Sequence, residues 1–207
     1  MNDAVEAPRP VALNRARAWR VTAWIVCIVA VDQATKSWVA TALGDGRARD
    51  VIGTTVQFEL TRNSGAAFSR FQGYTPVLAV LAIGIAVVLV RTLRRTTDRL
   101  TVIGLVMVLG GAMGNLGDRF FRSPGFLSGH VVDFVKVGSF PLFNVADSCV
   151  TIGAILIGAR SLVSERLAKG GNNNVDMSAE ANNADGRDVV GGNEGREPSG
   201  SEPDVNA

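Results

Sequence analysis

The sequence predicts an all-α membrane protein of four transmembrane helices with a small extracytoplasmic β element. Three observations carry that expectation. Four apolar spans each approach the length a bilayer requires. Arginines gather at one set of span ends. Carboxylates and carboxamides gather toward the other ends, at one depth.

The first span runs from about Val21 to Leu43 and contains Asp32, Gln33 and Lys36. A cleavable signal peptide is the competing reading of this segment. Arg15, Arg17 and Arg20 precede an apolar run that ends near Ala40-Thr41-Ala42. The three polar residues argue against it, because they interrupt the part of such a peptide that must be apolar. For the second span, Arg70 and Arg91 bracket 20 residues without a charge; for the third, Arg99 and Asp118 bracket 18. A run of about 20 apolar residues crosses a hydrocarbon core of about 30 Å. The fourth span runs from about Leu142 to Ala159 and contains Asp147.

Orientation follows the excess of cytoplasmic Lys and Arg in membrane proteins. Arg9, Arg15, Arg17 and Arg20 precede span one. Arg91, Arg94, Arg95 and Arg99 join spans two and three, and Arg160, Arg166 and Lys169 close span four. Both termini are therefore expected in the cytoplasm, with the loops 44–74 and 118–141 outside. In the first of these, Val56, Phe58 and Leu60 alternate with Gln57, Glu59 and Thr61, a half-buried strand pattern. Asn63-Ser64-Gly65 then reads as a turn.

Charge divides the chain. Residues 1–169 carry 19 Lys and Arg against 11 Asp and Glu, whereas 170–207 carry 2 against 8. A basic membrane-embedded body suits anionic lipid and needs no nucleic acid. The tail has seven Gly, seven Asn and no Leu, Ile or aromatic residue, so it is expected to be disordered. The expected organisation is a cytoplasmic segment 1–19, a membrane domain 20–169 and a tail 170–207. Cys27 and Cys149 both lie in apolar spans and are expected to be small buried hydrophobes without a disulfide.

Depth and face bring the polar residues together. At about 1.5 Å per residue, Asp32 lies about 18 Å and Lys36 about 24 Å beyond Arg20, Asn115 about 24 Å beyond Arg99, and Asp147 about 20 Å from Arg160. Helices of opposite direction thus meet in one outer layer. Asp32 and Lys36 have the spacing of a helical ion pair. Asn115, Asp118 and Arg119 share a face, preceded by Gly110, Gly111 and Gly114, which permit close helix approach. Asn144, Asp147, Ser148 and Thr151 form one stripe.

An intramembrane carboxylate is costly and marks a functional site by default. Asp133 and Asp147 could share a proton in a poorly solvated site, one taking a proton from water and the other donating to a carbonyl. Gly138 and Pro141 lie between them and allow the chain to bend back. On spacing alone, structural ion pairing with Lys36 and Arg119 explains the charges as well. Rival chemistries are a Ser/Lys peptidase built on Lys36 with Ser64 or Ser148, and a Cys149/His130 pair. A metallopeptidase lacks His ligands at useful spacing. From another class, a small proton-coupled membrane transporter could use Asp32, Lys36 and Asp147 as a relay.

Five blocks resemble one family, in that family's order. They are Asp32-Gln-Ala-Thr-Lys36, Asn63-Ser-Gly-Ala-Ala-Phe68, Gly114-Asn-Leu-Gly-Asp-Arg119, Val132-Asp-Phe134 and Phe143-Asn-Val-Ala-Asp-Ser148. Together they closely resemble lipoprotein signal peptidase (signal peptidase II), over about 20–165. The resemblance implies a four-helix membrane aspartic peptidase of the bacterial inner membrane with an extracytoplasmic active site. It implies removal of signal peptides from diacylglyceryl-modified prolipoproteins, with cleavage before the lipid-bearing cysteine. The family's catalytic aspartates fall on Asp133 and Asp147. Its other polar motif positions fall on Asp32, Lys36, Asn63, Asn115, Asp118, Arg119 and Asn144. No metal or other cofactor is expected. The expected partners are the prolipoprotein substrates and membrane lipids, and the chain is expected to act as a monomer.

Overall fold

A computed structural model describes residues 15–65 and 75–185, with side chains described as far as 167. The order of elements is α1 (Arg15–Ala42), β1 (Arg49–Ile52), β2 (Val56–Asn63), α2 (Thr75–Arg95), α3 (Arg99–Phe121), β3 (Val131–Val137) and α4 (Val145–Asp185). By compactness the chain divides after Arg160. In the second part the backbone is helical to Asp185, whereas composition predicts no order from 170. Extending an existing helix costs far less than starting one, so a weakly helical sequence can continue a strong one. Residues 186–207, the segment 1–14 and residues 66–74, including Ala66 to Phe68 of the second motif block and Arg70, lie outside the described residues.

Among the described residues, three helical stretches are long and apolar enough to cross a membrane: Thr75–Arg95, Arg99–Phe121 and Val145–Leu167. α1 has the length, but Asp32, Gln33 and Lys36 lower its mean hydropathy. Its polar residues turn inward, and Trp24, Val26, Val31 and Trp38 face outward. α2 exposes Val77, Val80, Leu81 and Val88 in the same way. In water such a surface would aggregate, whereas a hydrocarbon solvent makes it ordinary. Cys27 is exposed on this outer surface and Cys149 is half-buried, both as free thiols. This corrects the expectation that both would be buried: α1 buries Asp32, Lys36 and Val39, which leaves Cys27 on its outer side.

α2 and α3 pack as an antiparallel pair, and Asp98 caps the second helix by accepting Thr101 N–H at 2.9 Å. A first apolar core joins Ala86, Leu93, Leu105, Val106 and Leu109, with Ile25 and Ile28 of α1 against it. α1 and α3 approach closely because Gly110 lacks a side chain where Ile28 crosses. A second core lies at the other end of α1. There Val39 and Leu43 pack on Val132 and Phe134 of β3, with Phe58 and Leu60 beside them. Fully burying a side chain of this size is worth about 1.5–3 kcal/mol, so this core ties the sheet to the helices.

The sheet is antiparallel in the order β1-β2-β3. β2 is the strand expected from the alternation at 56–60. β3 is a finding, since the segment before the fourth span reads from sequence as loop. Its Val131, Val132, Val135 and Val137 are strand formers, but Asp133 and Lys136 obscure the pattern. Beyond β3 the chain turns at Gly138 (φ +53°) and returns, with Val135 and Phe143 exchanging N–H···O bonds of 2.8 and 3.0 Å. The expected bend between the two aspartates is this turn.

One irregularity matters to the site. Phe58 pairs with Val135, yet Thr61, not Leu60, pairs with Asp133. The extra residue is a β-bulge, and a one-residue shift reverses which side chains share a face. Beyond the bulge, Asn63 pairs with Val131 and lies on the Asp133 face. Without it, Arg62 would occupy that position.

Candidate active site

The N-terminus of α4 organises the centre. Asn144 is its cap and accepts Asp147 N–H on Oδ1 at 2.9 Å, while Asp147 Oδ2 accepts Asn144 N–H at 3.2 Å. This reciprocal pair satisfies two amides that a helix start otherwise leaves bare. Asp32 of α1 supplies a third partner, accepting Ala146 N–H on Oδ1 at 3.0 Å. Asp147 is thereby held in the first turn of α4 at a defined angle. Gly111 and Gly114 make room for this end of the helix, since a Cβ on Gly111 would strike the Ala146 carbonyl and one on Gly114 the Asp32 carboxylate.

Asp133 faces the same point from β3. Its Oδ1 accepts Asn144 Nδ2–H at 2.7 Å and its Oδ2 accepts Asn63 Nδ2–H at 2.9 Å. Asn144 therefore bonds both aspartates, to one through its carboxamide and to the other through its cap. Asn115 completes the bridge, donating to Asp147 Oδ1 at 2.8 Å while its own Oδ1 accepts from Asn144 at 3.2 Å. Burial pushes the Asp133 carboxyl up to about 6, helped by the charge of Asp147 and opposed by the hydrogen bonds from Asn63 and Asn144. Asp133 is 4% exposed, and Asp147 is only half-buried. The two carboxylates thus differ in environment, as an acid and a base must.

Behind the pair lies a buried ionic cluster. Lys36 Nζ contacts Asp32 Oδ2 at 2.8 Å, Asp118 Oδ2 at 2.9 Å and Asn115 Oδ1 at 2.8 Å. An ammonium has three donors, and all three are matched. Arg122 Nε meets Asp118 Oδ1 at 2.6 Å, which brings the cluster to two cations and two anions. Asp32, Lys36 and Asp118 have no exposed surface. Gln33 Nε2 lies 2.9 Å from the Gly114 carbonyl and 3.1 Å from Asp118 Oδ1. Asp118 Oδ2 also accepts Val132 N–H at 3.2 Å, which ties β3 to α3 next to Asp133. The cluster is thus a joint between α1, α3, β3 and α4.

The residues singled out from the sequence meet here with two differences. Arg119, for which spacing leaves ion pairing as one alternative, reaches the Gly129 carbonyl at 3.4 Å. It passes beside Gly65, where φ is +100° and a Cβ would lie 3.0 Å from the guanidinium. Arg122, one helical turn further along α3, makes the ion pair. Arg122 and Gln33 are not among the site residues read from the sequence, though the i, i+4 spacing of Asp118 and Arg122 and the position of Gln33 beside Asp32 are available signals. Thr151 is exposed and leaves the stripe, which ends where Ser148 Oγ bonds the Asn144 carbonyl at 3.0 Å.

The same contacts weigh against the rival nucleophiles. With its Nζ engaged by two carboxylates and an amide, Lys36 has no open position from which to serve a serine. Ser148 is spent on its own helix, and Cys149 lines a separate cleft with Arg17 and Arg20. Among the described residues, no group of three His, Cys, Asp or Glu side chains could hold a metal ion.

Comparison with known proteins bears on what this site does. The family model for signal peptidase (SPase) II matches residues 24–163. Lipoprotein signal peptidase of Mycobacterium avium is 50% identical over 135 residues, 65% of this chain and 74% of that protein. The Mycobacterium tuberculosis protein of that name is 51% identical over 132 residues, 64% of this chain and 65% of its own. That of Rhodococcus jostii is 45% identical over 156 residues, 75% and 78% of the two chains. Among solved structures, a bacterial membrane enzyme determined in meso at 2.3 Å resolution superposes with a TM-score of 0.63 at 31% identity, covering 70% of this chain and 89% of the other. A second, determined at 1.9 Å, gives a TM-score of 0.60 at 32% identity, covering 69% and 92%.

Proposed function

Since the chain belongs to the signal peptidase II family, we propose that Asp133 and Asp147 are its catalytic pair, working at the extracytoplasmic face of a four-span membrane domain. The protein is an aspartic-type peptidase of a bacterial membrane, and it removes signal peptides from prolipoproteins. The single observation that carries the site assignment is Asn144, which hydrogen-bonds Asp133 through its carboxamide and Asp147 through its helix cap.

In this reading Asp147, the more accessible carboxylate, takes a proton from a water that attacks the scissile carbonyl carbon. Asp133, the carboxyl that burial favours in its protonated form, donates its proton to the carbonyl oxygen. A neutral tetrahedral diol results. Asp147 then passes its proton to the leaving nitrogen while the C–N bond breaks, and a diol hydroxyl returns a proton to Asp133. Both carboxyls end as they began. Asn63 and Asn144 orient Asp133, and Asn115 orients Asp147. Asp32, Lys36, Asp118 and Arg122 hold the elements that carry them. Arg119, beside the Asn63 turn, is suited to receive substrate backbone.

The outward apolar face of α1 supports its role as a fourth span, and the arginine distribution supports cytoplasmic termini. The substrate is read as a diacylglyceryl-modified prolipoprotein cut before its lipid-bearing cysteine. A site in the outer leaflet that opens sideways suits such a molecule. A proton-coupled transporter would need polar groups to continue inward, but Ile25, Ile28, Leu105 and Leu109 follow the cluster instead. The test is cleavage of a lipidated precursor by the purified protein and by Asp133→Asn and Asp147→Asn. Each variant is expected to insert normally and to lose activity by at least about 10³-fold, in line with removal of a group that acts in the transition state. Near-normal turnover by either variant overturns the assignment.

A further inference from the structure

The Arg-bearing end of the helix bundle carries a cavity of about 850 Å³ that the peptidase reaction does not use. It opens where Arg17, Arg20 and Arg99 converge from α1 and from the start of α3. Its floor is apolar, built from Val21, Ile28, Val102 and Met107. Trp24 walls one side, and the cleft extends to Cys149. Polarity is therefore confined to one end.

The arginines have no carboxylate partner among the described residues. Arg17 donates to the Thr96 carbonyl, and Arg20 reaches its own helix at the Ala16 carbonyl, at 3.4 Å. The acid nearest in sequence, Asp98, is committed elsewhere, to Thr101 and to Arg160 at 2.9 Å. Among the described residues, then, no carboxylate compensates the three guanidinium groups that line this opening. From Arg17 to Ile28 the helix rises about 16 Å, close to the half-thickness of a hydrocarbon core of about 30 Å. A site that is cationic at the headgroup level and apolar for one leaflet's depth has the dimensions and charge of a phospholipid with an anionic headgroup.

We infer that this cleft binds one anionic phospholipid of the cytoplasmic leaflet, with its phosphate at Arg17, Arg20 and Arg99 and one acyl chain along the α1–α3 floor. Planar donors suit a phosphate better than an ammonium does. The lipid would cover the face of α1 that leads to Asp32 and brace that helix from its far end. This inference rests on the membrane orientation proposed above, but it is independent of the catalytic assignment.

The test uses the full chain in mild detergent, mixed with equimolar phosphatidylglycerol and phosphatidylcholine and analysed by native mass spectrometry. The wild type is expected to retain one phosphatidylglycerol in strong preference. Each Arg→Gln change at 17, 20 or 99 should reduce that preference about five-fold. The triple variant should bind both lipids alike. Ile103→Trp, at the cleft wall, should lower retention of both lipids without changing the preference among those retained. If the triple variant does not fold, Arg20→Gln and Arg99→Gln are read singly. Equal retention of the two lipids by the wild type, or unchanged preference in the arginine variants, overturns the proposal. Precursor cleavage by the same preparations reports on the peptidase assignment separately. A wild type that cleaves but does not select the lipid removes only the lipid site, and one that selects but does not cleave removes only the peptidase reading.

Discussion

Asp133 and Asp147 are the same residue type in unlike surroundings, and that difference is the chemical content of the site. Asp133 sits in a strand covered on both faces, and burial raises its carboxyl from the ordinary 3.8 to about 6. The folded protein therefore binds more protons than the unfolded chain between those values. Ionising Asp133 costs stability as pH rises through about 6, and the penalty is absent below about pH 4. If Asp133 must carry the proton, kcat/KM should fall on the alkaline side with a midpoint near 6. A pH profile on a lipidated peptide checks this, and activity that stays flat from pH 5 to about 8 would contradict the assigned acid. Lys36 shows the other use of a buried charge. Lys36→Met leaves Asp32 and Asp118 buried without their shared cation, a loss of about 3–5 kcal/mol. For a chain of this size that corresponds to a melting point lower by roughly 10 °C. Lys136→Gln breaks an ion pair of the same 2.8 Å length with Glu59, but both partners are more than a third exposed. It should shift the melting point by no more than about 2 °C. Thermal unfolding in detergent separates the two variants.

At the scale of elements, the start of α4 and the bulge in β2 aim the side chains. A helix start leaves amides bare, and here those amides are met by Asn144, Asp147 and Asp32, so capping and presentation of Asp147 are one structure. α3 must lie close to α4 for Asn115 to reach Asp147, and Gly111 permits that. Gly111→Val would drive a side chain into the Ala146 carbonyl and to within 3 Å of Val150. It should cost about 1–3 kcal/mol in overpacking and reduce precursor cleavage at least about ten-fold. Gly84 on α2 meets nothing within 4 Å. Gly84→Ala should be neutral, or stabilising by up to about 1 kcal/mol. Equal behaviour of the two variants in melting and cleavage assays would remove the packing argument.

For the whole molecule, the two apolar cores lie on either side of the polar cluster along α1, and the site's charges are sealed between them. Function then depends on which way the protein faces. The arginines of the α2–α3 connection predict that a reporter fused within Arg94–Arg99 is cytoplasmic, and that one near Gly46 is extracytoplasmic. Paired alkaline phosphatase and fluorescent-protein fusions test this, and phosphatase activity from the Arg94 position would put the site on the wrong side.

The apolar spans, their polar layer and the residues at that layer were all legible from residue order alone. Hydropathy and helical period are local properties, and a charge in a membrane span has to be answered by another. The pairing of Asp32 with Lys36 and the close approach at Gly110, Gly111 and Gly114 were legible for that reason. So was the bend at Gly138 and Pro141. Only the packing of distant segments puts Asp133 on a strand, gives its neighbour's place to Asn63 and not Arg62 through a bulge, and pairs Arg122, not Arg119, with Asp118. It also ended the α4 stripe at Ser148. These outcomes depend on register and on which helix face meets which neighbour. A single extra residue in one strand reverses a face, and one helical turn changes a partner. Such choices are made between segments distant in the chain, where local pattern carries no information.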